Sequence, residues 1–326
     1  AAARKNAQDA VMNADGQGTT GAVKGALPFP FPRNGLELAF NNLLPSRAFT
    51  EHTLRDNANV LADGSIVWGR ADNRAFSQVN DPANAGQPLS SPMSQGMNAV
   101  KLPEREKGGV SVVSEPVEFG KEKRLGWSYD PGTRRVRQIP EYGFDQPMGG
   151  GVGAKMTIDS DRLFNGSPER YNWKNLGKKE IFIPANAYKI HGSNVKYADL
   201  LKPGHENPDY MRYELRRVWV LEAKLKEGYR HVYGKRVLFI DEDTWNSVMA
   251  DNYDARGQLW KHAMINYYYH PDMSGWQAGS QFFMDLNSGQ YTGYGMTNET
   301  KKGAVLNEGK FTADQYTADA ARAMGR

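Results

Sequence analysis

Between residues 212 and 297, apolar and polar side chains alternate in six runs that short turns separate. A period of two is typical of half-buried β-strands. Parallel strands need long crossovers, for which these turns leave no room, so the runs predict an antiparallel meander. The first run, residues 213–225, can span about 43 Å. Strands of this length predict a sheet that curls into a barrel or half-barrel.

The alternation also predicts which side chains face the inside of this curl. Along residues 213–225 the apolar side chains share one side of the strand, with Arg217 as the charge among them. We expect this apolar side, and its equivalents on the later strands, to line a concave surface. The predicted cavity residues are Leu215, Trp219, Leu221, Phe239, Trp260, Met264, Phe282, Met284 and Leu286.

Other segments predict shorter elements. Residues 35–44 have the apolar spacing of a short amphipathic helix. Residues 125–139 predict a hairpin, because a Pro-Gly pair at its centre presets one φ angle and tolerates a positive φ at the next position. Residues 77–98, rich in Ser, Asn, Gln, Pro and Gly, predict a long loop, and residues 143–178 are expected to be largely irregular.

Together these elements predict a mainly β (α+β) fold. It is a long-stranded antiparallel meander curled into a half-open barrel, with a few short helices covering it. We divide the chain into an amino-terminal arm at 1–45 with a Pro-rich extended segment and a short helix, the half-barrel domain at 46–310, and a carboxy-terminal arm at 311–326. A length of 326 residues is compatible with one large or two medium domains.

Composition narrows the function classes. The 34 glycines and 17 prolines suit a turn-rich β protein, and a net charge of +4 is too weak to argue for a nucleic-acid partner. Because the chain has no cysteine, disulfides, thiolate metal sites and a cysteine nucleophile are excluded.

Motifs of catalysis are not apparent. The sequence contains neither G-x-S-x-G nor H-E-x-x-H, and its six histidines show no spacing typical of zinc ligands. Residues 149–154 fit a loose G-x-G-x-x-A pattern, but no strand precedes it, so a flexible loop is favoured over a dinucleotide site. The acidic group at 241–243 is interpreted as a charged turn. We therefore predict no catalytic residues, no metal and no cofactor.

Eight stretches of the chain, in order, resemble the uncharacterised family numbered 1329 among the domains of unknown function. They are residues 28–35, 129–137, 165–174, 177–180, 212–223, 235–237, 240–243 and 251–260. Small departures occur at 40–42, where Phe-Asn-Asn replaces the usual Trp-Asn-His, and at Arg216, where His is common.

The resemblance implies a fold like the periplasmic LolA/LolB lipoprotein carriers, in which a curved antiparallel sheet wraps around helices. It also implies secretion, with a signal peptide in additional amino-terminal sequence that is not part of this chain. Association with envelope transporters of the resistance-nodulation-division type is frequent in the family. No catalytic residue is established for the family, so the resemblance assigns none here.

On these grounds we expect a periplasmic, non-enzymatic binding or carrier protein for a lipid or other hydrophobic small molecule. Its expected partner is an inner-membrane transporter of that type or an outer-membrane protein. Arg217 and Arg236 are the predicted contacts of an anionic head group. The alternative hypothesis is a structural or adaptor subunit of an envelope transport complex without its own cargo. A hydrolase is a weaker third alternative.

Overall fold

The structure is a computed structural model that describes residues 1–14, 16, 18–119, 121–139, 144–148, 155–309 and 311–325. Its main feature is one antiparallel 14-stranded sheet that remains open, so the predicted fold class is confirmed. The strands are β1 (Val11–Met12), β2 (Thr19–Thr20), β3 (Thr50–Val60), β4 (Ile66–Ser77), β5 (Ser94–Leu102), β6 (Val110–Glu115), β7 (Leu125–Asp130), β8 (Arg135–Gln138), β9 (Tyr171–Pro184), β10 (Tyr213–Leu225), β11 (Lys235–Asp241), β12 (Ser247–Tyr253), β13 (Leu259–His270), β14 (Gly275–Asp285), β15 (Gln290–Met296) and β16 (Val305–Leu306).

Helices are few and short. The α-helices are α1 (Ala2–Asp9), α2 (Gly35–Leu43), α3 (Tyr197–Leu200) and α4 (Ala318–Gly325). The 3₁₀ helices are Gln78–Asn80, Pro82–Asn84, Glu104–Glu106, Ile158–Leu163, Pro168–Arg170, Lys189–His191, Pro208–Tyr210, Pro271–Met273 and Ala313–Gln315. No α-helix in the described part of the chain combines the length and the apolar run that crossing a bilayer requires.

The sheet consists of two meanders that meet in its middle. Strands β3 to β8 follow one another outward to one edge, and strands β9 to β15 lead inward from the other edge. The two meanders join where β15 pairs with β3, with Tyr291 opposite Val60. Among the described residues, β8 and β9 each pair with one strand only, so they are the two edges of the sheet.

The second meander is strongly curved. Strand β9 comes close to β12 and β13, although two or three strands separate it from them within the sheet. Register shifts between Trp219 and Leu221 and between Phe239 and Ile240 contribute to this curvature, since a bulge bends a strand and increases its twist.

Helix α2 fills the inside of this curve. It begins after Asn34, whose side chain accepts a hydrogen bond from the amide of Glu37. Phe40 is buried in the main hydrophobic cluster, between the helix and the sheet. A Cβ atom at Gly35 would lie 2.6 Å from the carbonyl carbon of Trp173, so the helix approaches β9 at a contact distance that only glycine permits.

The opposite face of the central strands is covered by residues 185–211, which include α3. A second hydrophobic cluster forms between this segment and the sheet. Its buried members include Ala58, Met264, Phe282 and Tyr291 of the strands and Ile190, Val195, Tyr197 and Leu200 of the covering segment. At the other end of the sheet, α4 packs against β6, β7 and β8.

The six strands predicted between 212 and 297, the hairpin at 125–139 and helix α2 are present as predicted. Two predictions about loops are wrong in part. Strand β9 already begins at Tyr171, and its many polar residues follow from its position at an exposed edge. Strand β5 begins at Ser94, inside the predicted loop at 77–98. The glycine-rich stretch 149–154 lies outside the described residues.

Candidate functional site

A cavity of about 860 Å³ lies on the face of the sheet formed by β3 to β7. Its wall also includes Asn42 and Leu43 of α2, the 3₁₀ segment Ile158–Leu163 and polar residues of β14 and β15. Pockets that enclose a single small-molecule ligand have volumes of roughly 300 to 1,000 Å³. The cavity therefore has the size of a site for one ligand.

The register of β3 explains why one part of the cavity wall is polar. Glu51, Thr53, Arg55 and Asn57 alternate along this strand, so their side chains share the face that lines the cavity. Their partners on β4 are Ala75, Asn73, Ala71 and Gly69, which are all small or polar. Because a half-buried strand usually carries apolar side chains on one face, a strand with polar side chains toward a cavity indicates a solvated or ligand-binding surface.

Small side chains keep the cavity open. Ala75 of β4 and Gly96 of β5 are cross-strand partners, and Gly96 is in turn the partner of Val113 on β6. A Cβ atom added at Gly96 would have no heavy atom within 4 Å. The space in front of this glycine is therefore part of the cavity.

One portion of the wall is apolar. Its members include Leu43, Val113, Ile139, Met148, Ile158 and Phe164. Apolar walls with a few convergent polar groups are the usual composition of ligand pockets, because the apolar surface supplies binding energy and the polar groups fix orientation.

Three arginines reach this cavity without an acidic partner in contact. Among the described residues, no carboxylate oxygen lies within 4.0 Å of a side-chain nitrogen of Arg47, Arg55 or Arg162. In contrast, Arg124, which also lines the cavity, is paired with Glu115 at 2.6 Å.

Two of these arginines interact electrostatically. Burial, and after it the positive charge of Arg162, lowers the pKa of Arg47 from 12.5 to about 10. Arg47 therefore stays protonated at neutral pH. The carboxylates of Asp161, Glu115 and Glu51 act on Arg47 in the opposite direction.

Arg55 is held against an aromatic ring. Its guanidinium carbon lies 4.6 Å from the ring centroid of Tyr294, within the range of a cation–π contact. Tyr294 is the cross-strand partner of Gln281, and both side chains line the cavity. These three residues form one group on β3, β14 and β15.

Several buried polar atoms at the cavity lack a partner among the described residues. They are Nε of Arg55, Oε1 of Gln95 and Oε1 of Gln281. Gln281 is 7% exposed. Since more than nine in ten buried polar groups in proteins are hydrogen-bonded, unpartnered atoms that line a cavity indicate groups that solvent or a ligand satisfies.

The turn that carries Arg162 has an unusual backbone. Arg162 and Leu163 have φ angles of 49° and 70°, in the left-handed region that L-residues rarely adopt. The same turn is fixed by Asp159, whose carboxylate accepts hydrogen bonds at 2.7 and 2.8 Å from Nη2 of Arg236 on β11. Strained conformations of this kind persist only where the surroundings determine them, and they cluster at functional sites.

His191 lies at the margin of the cavity. Its Nε2 accepts a hydrogen bond from the amide of Ser280 at 2.8 Å, and its Nδ1 donates to the carbonyl of Ala187 at 2.6 Å. Burial lowers the pKa of His191 to about 4, so the ring is neutral at neutral pH. Because both nitrogens are engaged with the backbone, this histidine has a structural role in the present arrangement.

The residues that the sequence predicts as cavity-lining lie elsewhere. Met264 and Phe282 are cross-strand partners, and Phe282 is linked through Gly293 to Ala58 of β3. Ala58 follows Asn57 along the strand, so its side chain lies on the face opposite the cavity. The side chains of Met264 and Phe282 therefore also lie on that face, where residues 185–211 cover them. Phe239 and Met284 occupy the same face by register.

The remaining predicted apolar residues are packed or exposed. Leu221 is buried beneath α2 in the main cluster. Trp219 stacks on Trp245, with ring centroids 6.3 Å apart. Trp260 meets Tyr233 edge to face at 5.8 Å. Leu215 and Leu286 are 59% and 49% exposed.

The predicted head-group arginines are also engaged. Arg236 is buried and paired with Asp159, and Arg217 is exposed and paired with Glu242 on the surface. The described lining of the cavity includes none of the residues predicted for ligand contact. Contact of those residues with a ligand stays a prediction.

The cavity residues of β3 were missed because their segment shows no apolar alternation. The signal available in the sequence was the polar run Thr50–Val60, followed by a turn and a second run of similar length. Within the described residues, no group of three or more His, Cys, Asp or Glu side chains is arranged to hold a metal ion.

Comparison of the chain with known proteins identifies its family. The model of the family described as "Protein of unknown function (DUF1329)" matches residues 1–322. The chain belongs to the DUF1329 family. An uncharacterized protein of Pseudomonas aeruginosa, PA3922, is 38% identical over 328 residues, which cover 99% of this chain and 70% of that protein. The family membership expected from the motifs is thereby confirmed.

Solved structures share the fold of this DUF1329 chain. A domain from Vibrio parahaemolyticus, described as an outer membrane lipoprotein-sorting protein domain, has a TM-score of 0.60 at 14% identity and covers 88% of this chain and 98% of that chain. A DUF1329 family protein from Desulfovibrio piger has a TM-score of 0.58 at 13% identity and covers 88% of this chain and 97% of that chain. The expected likeness to lipoprotein-sorting proteins is therefore confirmed at the level of the fold.

Proposed function

We propose that this protein is a periplasmic carrier that binds a lipid or similar amphiphilic molecule in the cavity beside β3 to β7. The observation that supports this proposal most directly is the cavity of about 860 Å³ with an apolar wall and convergent polar groups. Burial of each methylene group of a ligand contributes about 0.8 kcal/mol. A chain of moderate length would therefore bind with useful affinity after ordering costs.

The fold supports the same proposal more generally. A structural neighbour with 14% identity is described as an outer membrane lipoprotein-sorting protein domain, and lipoprotein sorting takes place in the bacterial envelope. We propose a corresponding location for this chain, and a partner among the transporters of the inner membrane or the proteins of the outer membrane.

Gly96 provides a sharp test of the cavity. Gly96→Leu places an isobutyl group where a Cβ atom has no neighbour within 4 Å, so it narrows the cavity beside β4 to β6 without a clash at the backbone. The matched control is Gln138→Leu, at an exposed position of edge strand β8. Both variants are compared with the wild type by circular dichroism to establish that they fold.

Native mass spectrometry of the purified proteins gives the readout. We expect the wild type and Gln138→Leu to carry a co-purified small molecule that Gly96→Leu has lost or retains at much lower occupancy. Equal occupancy in all three proteins, or a wild type that neither co-purifies with a ligand nor takes up an added one, would contradict the proposal.

A second candidate function, an adaptor in an envelope complex, has its own supporting observation. Phe182 of edge strand β9 and Leu215 of the neighbouring strand β10 are cross-strand partners and are 66% and 59% exposed. Neighbouring exposed apolar residues of this kind often mark protein interfaces. A photo-crosslinking residue at position 182 should then capture a specific envelope protein, whereas one at the exposed position Arg256 should not.

A further inference from the structure

The charges around the cavity are unevenly compensated. At its rim, Arg105 is paired with Glu106 at 3.2 Å, and Asp130 accepts hydrogen bonds from the amides of Gly132 and Thr133. Deeper in the cavity, Arg124 is paired with Glu115. These rim and wall charges therefore have partners in direct contact.

The inner group of charges is different. It comprises Arg47, Arg55 and Arg162 with the two carboxylates Glu51 and Asp161. The group has one more positive than negative charge, and none of its arginines is within 4.0 Å of a described carboxylate. Glu51 is engaged instead with the hydroxyl of Thr53 at 2.9 Å. Arg47 donates through Nε to Oγ of Ser77 at 3.2 Å, and Arg55 donates through Nη2 to Oδ1 of Asn98 at 3.5 Å, so each keeps further donors for a ligand.

Two buried hydrogen-bonding atoms beside this inner group of charges have no partner among the described residues. Nε of Arg55 is a buried donor without a partner among the described residues. Oε1 of the neighbouring Gln281, a residue that is 7% exposed, also has no partner, and as an acceptor it can receive a hydrogen bond from water or from a ligand hydroxyl. A charged donor left without an acceptor in a buried site is costly, and an oxyanion from a ligand would remove that cost.

The backbone presents Arg162 to this group. The strained residues Arg162 and Leu163 follow Asp159, which the buried pair with Arg236 fixes to β11. Asp159 also accepts a hydrogen bond from the hydroxyl of Thr157 at 2.7 Å. The anchor and the strained turn together hold Arg162 in the cavity wall.

We propose that the cavity selects anionic amphiphiles, whose carboxylate or phosphate oxygens are bound between Arg55 and Arg162, with Arg47 adding positive charge nearby. This inference rests on the proposed carrier function and names the class of its cargo. The apolar tail lies along the wall that includes Val113, Met148 and Phe164. Arginine suits this task because its planar guanidinium binds carboxylate and phosphate oxygens in pairs.

The test uses three probes with the same chain and different head groups: dodecanoate, dodecyl phosphate and dodecan-1-ol. Their affinities for the delipidated full chain are measured by isothermal titration calorimetry. We expect one or both anions to bind about tenfold or more tightly than the alcohol, because hydrogen bonds to charged groups have roughly that effect. Comparison of the affinities for dodecanoate and dodecyl phosphate shows whether the site prefers a carboxylate or a phosphate.

Variants assign the preference to residues. Arg55→Gln and Arg162→Gln should each lower anion affinity by about tenfold while leaving the affinity for the alcohol almost unchanged. Arg55→Lys should restore part of the loss, since it keeps the charge and loses the planar fork. Arg217→Gln, on the surface, is the matched control and also tests whether that arginine contacts a head group.

The outcomes separate the two proposals. If the alcohol and the anions bind equally, the anion preference is wrong and the carrier function stands. If anions are preferred equally by the wild type and both glutamine variants, the assignment to Arg55 and Arg162 is wrong. If none of the probes binds, the carrier proposal falls, and the inference falls with it.

Discussion

Asp159 and Arg236 form a buried ion pair, in which both carboxylate oxygens of Asp159 lie within 2.8 Å of the same guanidinium nitrogen. The two side chains are each 1% exposed. Burial alone would raise the pKa of Asp159, but the charge of Arg236 and the hydrogen bond from His231 outweigh it and hold this pKa below its ordinary value. The pair therefore remains ionised and fixes the turn at 158–163 to the sheet.

Removal of one partner should be strongly destabilising. Asp159→Ala leaves the Arg236 guanidinium buried without its counter-charge, and losses of this kind are about 3 to 5 kcal/mol. The free energy of unfolding is measured by urea titration. Glu242→Gln, which removes the carboxylate that pairs with Arg217 and Lys178 at the surface, is the control and should leave the urea midpoint nearly unchanged. Similar midpoints for both variants would contradict this prediction.

His191 should make stability depend on pH. Its pKa is lowered by burial from 6.5 to about 4, so the unfolded chain binds the proton first as pH falls. Stability is therefore complete above pH 6.5 and is lost progressively as pH falls toward 4. Urea midpoints at neutral pH and at about pH 5 should differ less in His191→Gln than in the wild type.

His231 should also make the protein less stable as pH falls. Burial also lowers the pKa of His231, so part of the pH dependence should persist in His191→Gln. An equal decline of stability in the wild type and in this variant would show that His191 is not the group that titrates.

Gly279 should not tolerate a side chain. A Cβ atom at this position would lie 1.9 Å from Nε2 of His191, and that ring is fixed by hydrogen bonds at both nitrogens. We expect Gly279→Ala to lower the free energy of unfolding by about 1 to 3 kcal/mol, as overpacked cores do. Gly96→Ala, which meets open space, is the control and should have little effect. A neutral Gly279→Ala would mean that this segment moves freely.

Tyr197 should hold the covering segment to the sheet. Its hydroxyl donates to Oδ2 of Asp56 at 3.0 Å, and the same carboxylate is bound by Arg70 at 2.6 Å. Tyr197→Phe removes one hydrogen bond to a charged acceptor, and we expect a loss of about 1.5 to 3 kcal/mol. Faster proteolysis within 185–211 is the local readout. Tyr188→Phe, at a side chain 52% exposed, should not change the cleavage rate.

Alternation along the strands predicted the sheet well and the cavity poorly. It identified which residues of β13 and β14 share a face, as the partnership of Met264 and Phe282 confirms. It did not identify what covers that face, because the cover is the segment 185–211, whose turns show no periodic pattern. A sequence pattern specifies which side chains share a face of a strand. The segment that covers this face is determined by distant parts of the chain.

The cavity could not be predicted for a related reason. Arg55 and Asn57 lie on a strand that is polar on the cavity side, so β3 lacks the apolar signature that marks β10. Arg162 belongs to a strained turn that no helical or strand period describes. Binding surfaces depart from the patterns that specify structure, and these residues illustrate that departure.

The junction of β3 with β15 has a consequence for how the molecule folds. One of its hydrogen bonds, from the amide of Gly295 to Oδ1 of Asn57, connects positions 238 residues apart. Contacts between such distant positions slow folding, because the entropy of closing a long loop is lost before the contact forms. Each meander can assemble from local hairpins, but the two can join only after β15 has been synthesised. A truncation that removes β15 should therefore leave β3 as an open edge that is prone to aggregation.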